Sequence, residues 1–295
     1  MGRELHESSS AAREIWQRAD AALGWSLTSL CFEGPEAELT LTKHAQPAIV
    51  AASIAALAAV RATMPTLLAP DFAAGHSLGE YSALVAAGCL TLEDAVRLVH
   101  LRGQAMQEAV AEGLGGMAAI VGGDPASVEA LCRDAALGEV VACANFNAPG
   151  QIVISGHKTA VARACALATE RKLKAIQLNV SAPFHCALMA PAAARMKEAL
   201  AAVQPGPLAF PVLPNVEGSP NSDPRRVADL LVRQVDSPVL WDRTMLAIAE
   251  AGVSHALELG PGKVLAGLAK RIDKRVSVLS VGDGASAAGV ANFLG

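Results

Sequence analysis

The 295-residue sequence predicts an α/β fold, with a large domain built on a parallel sheet and a smaller ferredoxin-like (βαββαβ) insert. The composition is 52% hydrophobic but only 3% aromatic, which is typical of helices packed on parallel strands. Residues 115–181 show a β-α-β-β-α-β pattern, and strand and helix segments alternate after it. The large domain is therefore expected at 1–114 and 182–295, and the insert at 115–181.

Four helices and one short strand are predicted before the insert. They are helices at 10–22, 44–62, 78–88 and 92–111, and a strand at 71–75. The most apolar stretch, residues 46–60, is shorter than the roughly 20 residues that a membrane span needs, so it predicts a buried core helix. Thr91, followed three residues later by Asp94, gives the last helix a start like a capping box.

The insert and the segments after it complete the predicted fold. Within the insert we expect a strand at 117–121, a helix at 125–136, two strands around residues 147–150, a helix at 159–172 and a strand at 175–180. After it we expect strands near 209–213, 254–259 and 276–281 and helices near 224–235, 238–251 and 263–273.

The charge and the cysteines narrow the class of protein. With 24 Lys and Arg against 28 Asp and Glu, the formal net charge is -4, so the chain has no overall positive field for nucleic acid or an anionic membrane. The six cysteines show no CxxC pair and no metal-ligand spacing, and the first residues, MGRELHESSS, lack a signal-peptide core. We therefore expect a cytoplasmic protein with reduced thiols, no metal and no redox cofactor.

The segment Gly75-His76-Ser77-Leu78-Gly79 fits the G-x-S-x-G nucleophile elbow, and it falls between a predicted strand and a predicted helix. The two glycines leave room for a sharp turn that exposes the serine hydroxyl. The N–H of Leu78, at the start of the helix, is placed to stabilise an oxyanion. The motif favours acyl transfer through Ser77, and the alternative is an ordinary glycine-rich turn.

A serine hydroxyl needs a base within hydrogen-bond reach. Five of the seven histidines are set aside. His6 and His44 lie in the N-terminal region, His100 in a helix and His157 in the insert, and His76 adjoins the serine and so points elsewhere. His185 and His255 remain. His185 lies where the chain leaves the insert and returns to the large domain, a natural cleft position, and is the preferred base.

Several separated motifs extend this hypothesis to nearly the whole chain. They are GHSLGEYSALVAAG, LVHLRGQAMQEA, NFNAPGQIVISG, SAPFHCALM, LVRQVDSPVLW and ELGPGKVLAGLAKRI. In this order they resemble the malonyl-CoA:acyl carrier protein transacylases, an acyltransferase family. The resemblance implies an α/β-hydrolase-like large domain with a ferredoxin-like insert, and transfer of a malonyl group from malonyl-CoA to the phosphopantetheine thiol of acyl carrier protein.

The resemblance also implies roles for individual residues. Ser77 is the nucleophile and His185 its base, and an oxygen of Gln234 orients the imidazole in place of the usual carboxylate. Arg102 matches the arginine that binds the free carboxylate of the malonyl group. A planar guanidinium grips a carboxylate with two charge-assisted hydrogen bonds, which selects malonyl over acetyl.

Further candidate residues surround this set. Met106 and Phe184 resemble pocket-wall positions, although both would also pass as core residues, and His76 is a further candidate substrate contact. Asn147 and Asn145 are candidates to face the cleft. The alternative is that Asn-Ala-Pro-Gly is a simple turn. A basic cluster at Lys263, Lys270, Arg271, Lys274 and Arg275 is a candidate docking surface for the acidic carrier protein, the alternative being a solvated helix face.

The sequence departs from the family at its first residues. Family members begin with a strand and a GQGSQ-like loop, whose glutamine N–H is a second oxyanion donor, and MGRELHE aligns just beyond that loop. Losing one such donor costs about 10² to 10³ in rate, so we expect reduced activity and stability. A start site assigned too late would explain the difference. The alternative is a catalytically silent relative that acts as a scaffold or binds carrier protein.

A serine hydrolase or thioesterase is a second alternative, because that class shares the elbow. It usually has a Ser…Asp/Glu…His order, for which Asp236 and His255 are formal candidates. The pathway stays open among fatty-acid synthesis, polyketide synthesis and malonate decarboxylation. Selectivity against methylmalonyl and the oligomeric state stay open as well.

Overall fold

The computed structural model describes residues 1–65, 69–180 and 182–295. The large domain starts with a helical layer, followed by a short strand that leads to Ser77 and two further helices. In chain order these are α1 Arg3–Ser8, α2 Ser10–Leu23, α3 Leu27–Glu33, α4 Glu36–Leu39, α5 Thr42–Thr63, β1 Ala73–Ala74, α6 Gly79–Ala86 and α7 Leu92–Glu108.

The predicted insert folds as a four-stranded antiparallel sheet with two helices. Its elements are β2 Gly115–Val121, α8 Pro125–Ala136, β3 Val141–Ala148, β4 Gln151–His157, α9 Lys158–Glu170 and β5 Lys174–Leu178. The strand order β3-β4-β2-β5 is that of a ferredoxin-like sheet, in which Ala119 of β2 lies opposite Val153 of β4 and Ile176 of β5. Residue 181, at the predicted end of the insert, lies outside the described residues.

The chain then returns to the large domain. A 3₁₀ turn at Ala187–Met189 leads into α10 Ala190–Ala201, β6 Val212–Leu213, a 3₁₀ turn at Pro224–Arg226, α11 Val227–Asp236, α12 Trp241–Glu250, β7 His255–Leu259, α13 Val264–Ile272, β8 Ser277–Val281, α14 Gly284–Ala288 and α15 Val290–Leu294. Two parallel pairs form here, β1 with β6 and β7 with β8. The α/β class with a parallel sheet and a ferredoxin-like part is therefore confirmed.

The long predicted elements agree with the structure more closely than the short ones. The strands predicted at 71–75 and 209–213 each shrink to two residues, because only those residues pair across β1 and β6. Helix α10 was missed. Its signal was present, since Pro191 lies in the first turn and the buried positions Ala192, Met196 and Leu200 recur at helical spacing.

Helix α5 is the central helix of the large domain. It is the one helix in the described part of the chain that is long and apolar enough to cross a membrane, with a mean hydropathy of 1.5 over its most apolar window. Of that window, 67% is buried inside the protein. The ends of α5 and α7 are close because Gly103 leaves space: a Cβ there would lie 2.5 Å from the Cα of Lys43.

The two parts of the molecule are joined at β3. Register shifts in β3 interrupt its pairing with β4, and its backbone instead contacts the segment before α12. The N–H of Phe146 donates to the carbonyl of Val239 (2.9 Å), and the N–H of Val239 donates to the carbonyl of Ala144 (2.9 Å). This junction brings the hairpin between β3 and β4 to the turn that carries Ser77.

The close approach at Gly103 leads to a stability prediction. In Gly103→Ala the new methyl group meets backbone atoms of α5, which cannot rotate away, so we expect a loss of about 1–3 kcal/mol in the free energy of unfolding. The matched control is Gly267→Ala in α13, where a Cβ meets nothing within 4 Å and helix propensity should add about 0.5–1 kcal/mol. Urea unfolding measures both, and a stabilised Gly103→Ala would contradict the packing argument.

Candidate active site

Ser77 lies in a tight turn between β1 and α6, in the left-handed region of the backbone with φ 52°. The turn leaves no space for a side chain at Gly75, where a Cβ would lie 2.0 Å from the carbonyl oxygen of Gly79. Leu78 is the N-cap residue of α6. A left-handed non-glycine residue costs about 1–3 kcal/mol and persists only where its surroundings hold it, so this turn must be held from outside.

Asn215 holds the turn. Its Oδ1 accepts a hydrogen bond from the N–H of Ser77 (2.6 Å), and its Nδ2 donates to the carbonyl of Gly75 (2.7 Å). Asn215 is fully buried and follows β6, the strand that pairs with β1. The parallel pair therefore brings the amide that fixes the serine backbone to the serine itself.

His185 lies within hydrogen-bond distance of the serine, with its Nε2 2.8 Å from Ser77 Oγ. Its Nδ1 lies 2.9 Å from the backbone carbonyl of Gln234. A carbonyl only accepts, so Nδ1 carries the proton and Nε2 is free to accept one. Burial, and then the charge of Arg102, lower the pKa of His185 to about 3, which keeps the imidazole neutral.

Gln234 contributes in two ways. Its backbone carbonyl orients His185, while its buried side chain points to other groups. The side-chain Nε2 donates to the carbonyl of Ser77 (2.9 Å) and to Glu80 (2.8 Å), and Oε1 accepts from Arg102 (2.9 Å). The orienting oxygen is therefore a main-chain atom.

Arg102 is a buried cation whose partners are neutral. It is 1% exposed, and one terminal nitrogen donates to Gln46 Oε1 (2.8 Å) while the other donates to Ser77 Oγ (3.0 Å) and to Gln234. Among the described residues, its Nε has no hydrogen-bond partner and no carboxylate forms a salt bridge with it. Burial lowers the pKa of the guanidinium. A buried charge without a direct counterion is costly, which marks this as a place for an anion.

His76 and Asn147, both considered as substrate contacts, bind each other. His76 Nε2 lies 2.8 Å from Asn147 Oδ1, and the His76 ring packs 5.6 Å from the ring of Trp241. Burial lowers the pKa of His76. Asn145 is buried in the bridge to Val239 rather than facing a cleft. The hydrogen bond between His76 and Asn147 therefore connects the serine turn to the β3–β4 hairpin.

The two predicted pocket walls differ in their surroundings. Met106 is buried on α7, and its sulfur lies 4.0 Å from Gln46 Nε2, behind Arg102. Phe184 is half-buried next to His185 and packs against the hydrophobic clusters of both parts of the molecule.

Three further buried polar residues belong to the site and were missed by the sequence analysis: Gln46, Glu80 and Asn215. Glu80 Oε2 accepts from the N–H of Asn215 (2.9 Å) as well as from Gln234. Gln46 is 56 residues from Arg102 and Asn215 is 138 residues from Ser77, so no local pattern connects them. The one signal is that Glu80 is the single charged residue of α6.

The C-terminal basic cluster divides between two environments. Lys263, Lys270 and Lys274 line a groove of about 710 Å³ between α13 and β8. Arg271 instead donates to the side chain of Gln151 in the β3–β4 hairpin, and Arg275 is paired with Asp273. His255, the formal base of the hydrolase alternative, is exposed on β7 and contacts Ser254 rather than Ser77.

Comparison with known proteins decides the family of the chain. Residues 1–288 match the model of the acyl transferase domain. The chain belongs to the acyl transferase family. A Salmonella typhimurium malonyl CoA-acyl carrier protein transacylase is 47% identical over 91% of this chain and 87% of its own length. The Bacillus subtilis protein of the same name is 45% identical over 96% of this chain and 89% of its own length.

Solved structures agree with the assignment of this chain to the acyl transferase family. The malonyl CoA-acyl carrier protein transacylase of Coxiella burnetii superposes with a TM-score of 0.95 at 39% identity, over 100% of this chain and 92% of its own. A malonyl-transacylase in complex with a type II polyketide acyl-carrier protein superposes with a TM-score of 0.94 at 42% identity, over 99% of this chain and 94% of its own.

The neutral base of this acyltransferase leads to a prediction about pH. Since the pKa of His185 is lowered to about 3, we expect the acylation rate of Ser77 at saturating thioester to show no inflection near the ordinary histidine value of about 6.5. Rapid-quench measurements from about pH 5 to 8 test this. His255→Ala is the exposed control.

The same shift affects stability. The pKa of His185 is lower in the folded state than in the unfolded state, so its contribution to stability is present above about pH 6.5 and declines as the pH falls.

In the acylation measurement, a clear loss of rate with a midpoint near pH 6.5 would contradict the neutral, buried base.

Proposed function

We propose that this acyltransferase moves a malonyl group from malonyl-CoA to the phosphopantetheine thiol of acyl carrier protein, with Ser77 carrying the group between them. The observation that supports it best is the buried guanidinium of Arg102, which lies 3.0 Å from the nucleophilic oxygen and whose hydrogen-bond partners among the described residues are all neutral. An acyl group with a terminal carboxylate supplies a negative charge in direct contact with the guanidinium.

The first half-reaction forms a malonyl ester on Ser77. His185 Nε2 takes the hydroxyl proton as Ser77 Oγ attacks the thioester carbonyl, and a tetrahedral oxyanion forms. We assign the N–H of Leu78 as an oxyanion donor, because Leu78 caps α6 directly after the nucleophile. The carbon–sulfur bond then breaks, and coenzyme A leaves as the thiol with the proton from His185.

The second half-reaction reverses the roles. His185 takes the proton of the carrier-protein thiol, and the sulfur attacks the ester. The bond to Ser77 Oγ then breaks, and the serine oxygen regains the proton from His185. This ping-pong sequence needs a nucleophile, a base and an oxyanion donor, which the chain supplies, so we propose no metal and no redox cofactor.

We assign selectivity for malonyl to Arg102. Acetyl would bind beside the guanidinium without a charge to pair with it, whereas malonyl forms charge-assisted hydrogen bonds. Gln46 and Gln234 hold the guanidinium from two different helices, so it is oriented before the substrate arrives. We assign Met106 and Phe184 to the pocket wall, and we assign His76 and Asn147 to the edge of the acyl pocket.

A serine hydrolase is less well supported. His185 is oriented by a main-chain carbonyl rather than by a carboxylate, and Asp236 accepts a hydrogen bond from Ser237. We also propose that the protein works in the cytoplasm, because its six cysteines are all free thiols and five of them are buried.

The covalent step can be tested by intact-mass analysis. Incubation with malonyl-CoA should add one malonyl group to the wild-type chain and none to Ser77→Ala, and the adduct should persist until a thiol acceptor arrives. Release of free malonate without an acceptor would show a hydrolase. An absence of any adduct on the wild-type chain would refute the proposed transfer.

The role of Arg102 can be tested by selectivity. Arg102→Ala removes the cation, so we expect kcat/KM for malonyl-CoA to fall by about 100-fold, the equivalent of roughly 3 kcal/mol, with a much smaller change for acetyl-CoA. The matched control is Arg97→Ala in the same helix, whose side chain bonds to the carbonyl of Ala22 on the surface. Equal losses for the two substrates would refute the carboxylate-binding role.

We propose that acyl carrier protein docks at the groove lined by Lys270 and Lys274. Both side chains are exposed and line the same groove, Lys270 from α13 and Lys274 from the turn after it, so they do not share one helical face; positive charge there suits an acidic partner. Arg271 lies on another side of α13, where it contacts Gln151, so it takes a lesser part in docking.

Charge reversal tests the docking surface. Lys270→Glu with Lys274→Glu should raise the KM for carrier protein several-fold and leave the KM for malonyl-CoA unchanged, because the proposed contact is with the surface of the carrier protein and not with the thioester. Lys197→Glu, an exposed reversal on α10, is the control for a charge reversal elsewhere on the surface. An unchanged KM for carrier protein would rule out this surface.

A further inference from the structure

Glu80 is a buried carboxylate that the proposed chemistry does not use. It lies on α6, one turn after the nucleophile, and is 2% exposed. Its Oε2 accepts two hydrogen bonds, from the N–H of Asn215 (2.9 Å) and from Gln234 Nε2 (2.8 Å). Those two residues hold the Ser77 turn and orient His185, so Glu80 lies directly behind the catalytic pair.

One amide connects Glu80 to Arg102. Gln234 donates from Nε2 to Glu80, and its Oε1 accepts from Arg102 (2.9 Å). The amide therefore lies between a carboxylate and a guanidinium, and each polarises it in the same direction. Together the two buried groups carry no net charge when both are ionised.

A substrate carboxylate disturbs this balance. When it pairs with Arg102, two negative groups share one buried positive group, and the site gains a net negative charge that burial makes costly. The balance returns if Glu80 becomes neutral. A proton on its Oε1 leaves both hydrogen bonds to Oε2 in place.

We propose that Glu80 is the internal counterion of Arg102 and takes up one proton from solvent when the carboxylate of the acyl group binds. This rests on the proposed function, in which malonyl binds to Arg102. Glu80 is a positioning residue, because it acts on the substrate only through Gln234 and Arg102.

The surroundings of Glu80 suit this role. Burial raises the pKa of Glu80 to about 7, against hydrogen bonds from Asn215 and Gln234 and the charge of Arg102, which lower it. Small changes in local charge then shift its protonation near neutral pH.

The other titratable groups around α6 are held in one state. Glu217 faces Glu80 from the loop after β6, and Arg226 and Arg233 keep its pKa low. Burial raises the pKa of Tyr81 and lowers that of His185 to about 3, so both stay neutral. Arg102 itself faces Glu80 from α7 and stays charged. Among these groups, Glu80 alone titrates near pH 7.

The direction of the pH effect follows from linkage. Carboxylate binding raises the pKa of Glu80 further. Malonyl binding is therefore tightest below about pH 7, and it weakens as the pH rises towards the raised pKa that Glu80 has in the complex. A rise of one pKa unit changes affinity by about tenfold across that window.

The experiment measures proton uptake directly. Ser77→Ala binds malonyl-CoA without turnover, and calorimetry in two buffers of different ionisation enthalpy at about pH 7.5 should show uptake of about half a proton per site. Acetyl-CoA, which has the same coenzyme and no carboxylate, should show almost none. Ser77→Ala/Glu80→Gln retains an acceptor oxygen but cannot titrate, and it should show almost no uptake with malonyl-CoA.

The outcomes separate this inference from the proposed function. If wild-type protein forms the malonyl adduct but Ser77→Ala takes up no proton, or Glu80→Gln leaves the uptake unchanged, Glu80 is not the counterion. If wild-type protein forms no adduct, the proposed function fails. Should Glu80→Gln not fold, the wild-type KM for malonyl-CoA still decides: it should rise about tenfold from about pH 6 to 9, and a flat profile overturns the inference.

Discussion

The rest of the site depends on the hydrogen bonds that hold the buried guanidinium of Arg102. Removing an unpaired charge from water costs several kcal/mol, so the fold must supply acceptors for it. Gln46 comes from α5, Gln234 from α11 and Ser77 from the turn before α6. Three separate segments therefore converge on one side chain of α7. Because Gly103 has no side chain, α5 approaches α7 closely enough for Gln46 to reach Arg102.

The nucleophile and its base share a second constraint, which is backbone strain. Ser77 and His185 both adopt left-handed conformations, with φ 52° and 58°. Each such residue costs about 1–3 kcal/mol unless its neighbours favour it. Asn215 bonds to both sides of the Ser77 turn, and the carbonyl of Gln234 holds the His185 ring. The same buried amides thus stabilise the strained turn and set the protonation states that acyl transfer needs.

Local patterns predicted much of the fold. Helices with strong apolar periodicity and clear caps, such as α7 and α8, were placed within a few residues of their observed ends. The strands predicted at β1 and β6 are longer than the two residues observed, because their extent depends on the partner strand rather than on their own residues. The strand order of the ferredoxin-like sheet followed from the order of elements, since few packings of that order bury both helices.

The sequence by itself determined the chemistry-bearing residues that stand in local motifs. The elbow around Ser77 and the position of His185 predicted a serine with a histidine base, and the family resemblance added Arg102 and Gln234. Tertiary structure alone decided how these groups are held. The acceptors of Arg102, the amide that fixes Ser77 and the carboxylate of Glu80 come from distant segments. Hydrogen bonds between such segments depend on geometry that no local spacing of residues encodes.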